Sequence, residues 1–117
     1  MAYRVIRSRD SDRDLNLIFR HLVDSHVALG EPVSDAFRTA IRRMDALKED
    51  VRSLALAPHQ GSLHPDIRPG LRHVTKNRAI IYFHVDDTAE IIRVIAVFFG
   101  GQDHQRHMLK RLLRPED

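Results

Sequence analysis

Apolar residues in the first half of the chain recur every three or four positions, whereas in the second half they gather into β-branched and aromatic runs. Residues 2–7 alternate in character around Tyr3, Val5 and Ile6, which predicts a short opening strand. Ser11, with Asp14 three positions on and just ahead of an apolar series, predicts a helix start, and acids in a first turn suit the helix dipole. Leu15, Ile18, Leu22, Val23 and Leu29 form the stripe of this amphipathic helix, and Gly30 is placed to end it. Pro32 opens a second helix whose stripe is Phe37, Ala40, Ile41, Met44, Leu47 and Val51, so the two helices should form an antiparallel hairpin. Residues 54–70 hold three prolines and two glycines and read as a surface connection within one domain.

From Leu71 the pattern becomes that of strands. Residues 71–75 and 78–85 are separated by Lys76-Asn77, a tight hairpin signal, and Asp86-Asp87-Thr88 leads into a third strand at 90–99. Gly100-Gly101 stops that strand, and Asp103 is a candidate cap for a short helix carrying Met108, Leu109, Leu112 and Leu113, ended by Pro115. The expected architecture is α+β: an N-terminal strand and helical hairpin packed on an antiparallel sheet, followed by a short C-terminal helix. With 117 residues, positions 1–117 make one domain.

Alternation along the strand at 78–85 sorts its side chains into two sets. Ala79, Ile81, Phe83 and Val85 are expected as core beneath the helices. Arg78, Ile80, Tyr82 and His84 share the opposite face and are expected to be exposed there as a working surface. An arginine offers forked donors to phosphate or carboxylate, a tyrosine can stack or donate a proton, and a histidine titrates near neutral pH. The same face also reads as an open sheet surface that is simply wet.

Composition narrows the chemistry. Hydrophobic residues are 43% and charged residues 30%, the balance of a globular chain, and no apolar run approaches the roughly 20 residues of a membrane span. Cysteine is absent, which excludes disulfides, a thiolate nucleophile and Cys-rich zinc frameworks, and we expect a protein of the reducing cytoplasm with no membrane partner. Net charge is +3, and the excess lies in the second half, where residues 68–114 hold nine Lys and Arg against four acids. Such a surface either favours an anionic partner or is merely a solvated face. Eight histidines raise the question of a metal, and His104 and His107 have a chelating spacing on a helix, but no third ligand is evident nearby. Neither a metal nor an organic cofactor is expected.

The order of elements, together with Gly70-Leu71-Arg72-His73, the run from Asn77 through Arg78 and Tyr82 to Phe83, and the run from Ile92 through Arg93 and Gly100-Gly101-Gln102-Asp103-His104 to Leu109, resembles the ParE/RelE superfamily of toxins from bacterial toxin–antitoxin pairs. The resemblance spans essentially the whole chain. It implies one of two activities: ribosome-dependent cleavage of messenger RNA in the RelE branch, or poisoning of DNA gyrase in the ParE branch. On the nuclease reading Arg78 matches the phosphate-binding arginine, and His104 or His107 would serve as acid or base, since no tyrosine follows Gly101. The tail from Gly101 to Leu109 is more similar to the ParE branch, which implies a gyrase poison with no catalytic residue of its own. Contacts to target or partner would then fall on Arg72, Arg78, Tyr82, His84, Arg93, Arg106, Lys110 and Arg111. The resemblance further implies a cognate antitoxin, an acidic peptide with an apolar helical stripe, in a hetero-oligomer with the toxin. On that reading Ile80 and Phe99 are apolar surface covered only in the complex. A binding module that has lost toxicity is the third reading.

Overall fold

The computed structural model describes residues 3–99 and 104–112. In chain order these form strand β1 (Arg4–Arg7), helices α1 (Arg9–Ala28) and α2 (Val33–Arg52), a 3-10 turn at Ser53–Leu56, strands β2 (Ser62–Leu63), β3 (Leu71–Lys76), β4 (Ala79–Asp86) and β5 (Ile91–Phe99), and helix α3 (His104–Leu112). The sheet order is β1-β5-β4-β3-β2. β3, β4 and β5 form the expected antiparallel meander, β2 adds to it antiparallel, and β1 joins β5 in parallel, so the sheet as a whole is mixed. The helical hairpin carries the chain from one edge over the sheet, and β1 can then meet β5 only side by side in the same direction.

α1 begins one turn earlier than Ser11. Ser8 is the cap, its Oγ accepting from the Ser11 backbone N–H at 3.0 Å. The helix closes in a Schellman motif, with Gly30 at φ +97° donating to the Val27 carbonyl and Glu31 to that of His26. In α2, Ala36, Ala40, Met44, Leu47 and Val51 are buried, while Phe37 and Ile41 from the expected stripe are 44% and 51% exposed. The buried stripe is narrower than the apolar one because α2 packs on α1 and the sheet along one line only.

The β3–β4 hairpin turns at Asn77-Arg78, one residue later than expected, with φ of 50° and 67°. Both central residues of such a two-residue turn take left-handed backbone, which asparagine tolerates well. Asn77 Nδ2 also donates to Asp50 Oδ2 at 2.6 Å, tying the hairpin tip to the end of α2. A bulge at Ile95 lets Tyr82 face Ala96 while Phe83 faces Val94. That extra residue puts Ile92, Val94 and Val97 on one face despite their uneven spacing.

On that face, α1 and α2 cover Ala79, Ile81, Phe83, Ile92, Val94 and Val97. The partly buried Phe99 packs here too, which corrects its expected place on the open face. The other face carries a second core of Leu71, Ile80, Tyr82, Ala96 and Phe98, closed by Met108 of α3. The expectation of an exposed working surface therefore fails at its centre: Tyr82 is 0% and Ile80 6% exposed. The side assignments hold, but α3 folds back and seals the far side. Asp103, Leu113 and Pro115 lie outside the described residues.

α3 is held at its last turn by Arg111. Its Nη1 and Nη2 donate to the two carboxylate oxygens of Asp14 at 2.6 and 2.9 Å, and the guanidinium lies 5.3 Å from the centre of the Phe98 ring. The same Asp14 Oδ2 accepts from the Val97 backbone N–H at 2.9 Å. No helix of the described residues is long and apolar enough to cross a membrane.

Phe83→Ala should lower unfolding stability by roughly 3 to 5 kcal/mol in denaturant titration, because the ring is wholly enclosed. Arg111→Met should cost about 3 kcal/mol by stranding the Asp14 carboxylate, and in a double-mutant cycle with Asp14→Asn the two losses should be far from additive.

Candidate functional site

Where α3 meets the sheet, four polar rings come together from four parts of the chain. His73 stands on β3 directly across from Tyr82 on β4, a consequence of the Asn77-Arg78 turn setting the register. His64 enters from the connection after β2, its backbone N–H donating to the Leu71 carbonyl at 2.9 Å. His104 opens α3.

Tyr82 Oη and His104 Nδ1 form a hydrogen bond of 2.8 Å, and His64 Nε2 forms another with His73 Nδ1. The His64 and His73 rings stack with centroids 4.7 Å apart, and His73 and His104 are 5.2 Å apart. Tyr82 lies 5.4 to 5.7 Å from all three imidazoles. Burial holds His73 below the usual histidine range, and the proximity of His64 and then His104 adds to it, since each disfavours a further positive charge. Among the described residues, no group of three or more histidine and carboxylate side chains is arranged to hold a metal ion. What the rings can do is pass protons along a chain of donors and acceptors.

The other sequence-derived candidates disperse. Arg78 occupies the hairpin turn instead of the strand face, about 13 Å along the strand from Tyr82 at roughly 3.3 Å per residue, so it is not brought to His104. His107 is exposed on α3 with its ring 5.7 Å from that of Phe98. Arg72 points to the α1–α2 side and donates from Nη1 to the His59 carbonyl at 2.7 Å. It borders a separate surface group in which Asp87 accepts from Tyr3 and bonds His59, both at 2.7 Å. These bonds draw the Asp87 carboxyl below its ordinary range, Tyr3 contributing first.

His84 is partly buried and packs against Gly70, where an added Cβ would come within 2.8 Å of its Nε2. Arg93 is exposed on β5 opposite His84. Arg106 and Lys110 are exposed on α3. Arg111, expected to serve a partner, is instead spent on Asp14, whose hydrogen bonds raise the guanidinium above its already high range. Sequence reading passed over His64 and Asp14. No spacing links either to its partner; His73 could have been found from hairpin register.

No family model matches the sequence, and no curated protein matches it. Solved structures do match. A chain of the chromosomal ParDE toxin–antitoxin system of P. aeruginosa superposes with a TM-score of 0.63 at 21% identity, over 84% of this chain and 96% of that one. The toxin–antitoxin complex RelBE2 of Mycobacterium tuberculosis gives 0.59 at 16% identity over 87% and 95%. A double-arginine variant of the E. coli toxin RelE in the free state gives 0.57 at 14% identity over 97% and 100%. With its opening strand, helical hairpin, mixed sheet and short C-terminal helix in this order, the chain has the RelE/ParE-like fold.

Proposed function

We propose that this chain is the toxin of a toxin–antitoxin pair, acting in the cytoplasm by poisoning DNA gyrase and neutralised by a cognate antitoxin. The observation that carries this reading is the superposition on a ParDE chain over 84% of the present one. The dispersal of the nuclease candidates supports it, because Arg78 stands apart from His104 and offers no cation to a phosphate there. A gyrase poison needs no chemistry of its own. It binds one state of the enzyme–DNA complex better than another and so shifts the cleavage equilibrium. Exposed contacts for such binding are Arg93 on β5 and Arg106 and Lys110 on α3.

The antitoxin would cover apolar surface on the toxin. Val33, Phe37 and Ile41 recur every four residues along α2 and are exposed, with Arg42 and Arg43 exposed on the same helix. That combination fits an acidic peptide with an apolar helical stripe.

A second reading, RelE-like cleavage of messenger RNA on the ribosome, is favoured by the ring cluster. His104 bonded to Tyr82 provides a titratable pair of the kind that proton transfer to or from a 2′-hydroxyl requires.

Purified protein titrated into a plasmid supercoiling reaction with gyrase and ATP should abolish supercoiling and accumulate linear DNA. Should folded, antitoxin-free protein leave both unchanged, the gyrase assignment fails. Messenger RNA cut in translating ribosomes, with the cuts lost in His104→Asn, would then establish the second reading. Expression without growth arrest would reduce the chain to an antitoxin-binding module.

A further inference from the structure

α3 is fastened at both ends by different chemistry. Its last turn is held by the forked ion pair of Arg111 with Asp14. Its first turn is held by His104 on Tyr82, against His73 and His64. We propose that His64, His73 and His104 form an acid-operated latch, which keeps the first turn of α3 docked while the rings are neutral and releases it when they are protonated, uncovering the sheet face of Leu71, Ile80, Tyr82 and Phe98.

The bond between His64 and His73 requires that the two facing nitrogens hold a single proton between them. Nε2 of His64 and Nδ1 of His73 share one proton, with one nitrogen donating and the other accepting. A second proton between them leaves two donors facing each other and puts a positive charge into the stacked rings. His104 likewise accepts at Nδ1 from Tyr82 only when that nitrogen is bare; protonated, it demands that the phenol reverse its role. Among the described residues, the neighbouring side chains are mostly apolar. β5 presents Ala96 and Phe98, α3 presents Met108, β4 presents Tyr82 with His84 further along, and His107 rests on Phe98. Asp66 and Arg68 of the 64–70 connection are exposed, and among the described residues the charges acting on His73 are those of His64 and His104.

Of the three, His104 travels with α3. When it leaves, His73 loses one like-charged neighbour and gains water, so its affinity for a proton rises toward the ordinary value. Release therefore takes up protons. Docking is fully favoured above about pH 6.5, the ordinary histidine value, and weakens as pH falls from there toward the lowered value of His73. Each proton linked to release weakens docking by up to about tenfold per pH unit across that window.

Hydrogen exchange of the full chain, corrected for intrinsic rates, tests this between pH 7.5 and 5.5. Protection of the α3 amides should fall about tenfold or more while that of α1, α2 and β4 holds, and His73→Gln should flatten the pH dependence. Constant α3 protection, or an unchanged dependence in a folded His73→Gln variant, overturns the latch. If that variant does not fold, NMR titration of the wild-type His73 ring decides. A midpoint below the ordinary histidine value that coincides with loss of α3 protection sustains the proposal, and a midpoint at or above it with α3 still docked defeats it.

Discussion

The carboxylate of Asp14 does work for three elements at once. β1 leaves the edge of β5 at Val94, and beyond it the last residues of β5 would present unpaired backbone groups to the start of α1. Ser8 covers two of them, donating its backbone N–H to the Val94 carbonyl at 2.9 Å and its Oγ to the Ile95 carbonyl at 3.2 Å. Asp14 covers the next by accepting from Val97. A buried carboxylate with a single backbone partner would be costly, and the fork of Arg111 balances its charge. One anion thus fixes α1 to the sheet edge and α3 to both.

That fastening decides what the sheet can offer a partner. Tyr82 and Ile80 would be an adhesive apolar face if α3 were elsewhere; with α3 docked they are interior, and the exposed polar groups of that side include Arg93, Arg106, His107 and Lys110. The fold consequently separates two kinds of resource. The basic side chains stand at the surface, suited to binding, whereas His64 and Tyr82 are buried and His73 and His104 partly so beneath α3. RNA cleavage needs cation and acid or base at the same phosphate, and here Arg78 in the hairpin turn stands apart from His104.

Much of the architecture was legible because periodicity reports burial directly. The stripes of α1 and α2, apart from the exposed Leu29, Phe37 and Ile41, the switch to strands at Leu71 and the core role of Phe83 all follow from it. Local chemistry placed the boundaries less well, since the Ser8 cap and the Asn77-Arg78 turn each competed with a neighbouring signal of equal quality. Parity along β4 sorted its faces correctly but left open what lay over the second one. The bulge at Ile95 had no signal at all, as a one-residue insertion only shows when the partner strand is known.

The sequence by itself determined β1, α1, α2, β3, β4, β5 and α3 in their order and which side of β4 faces the helical hairpin, because each depends on neighbours within about a turn of helix or a pair of strand residues, whereas the 3-10 turn and β2 fall in the stretch read as a plain connection. Tertiary structure decided that β1 joins β5 in parallel, that α3 closes over Tyr82, and that Arg111 answers Asp14 from 97 residues away. It also gathered His64 and His104, which stand 40 positions apart, around His73. Contacts between distant segments carry no period. They arise from the free energy of covering a whole sheet face and of pairing a buried charge, which no local stretch of residues can express.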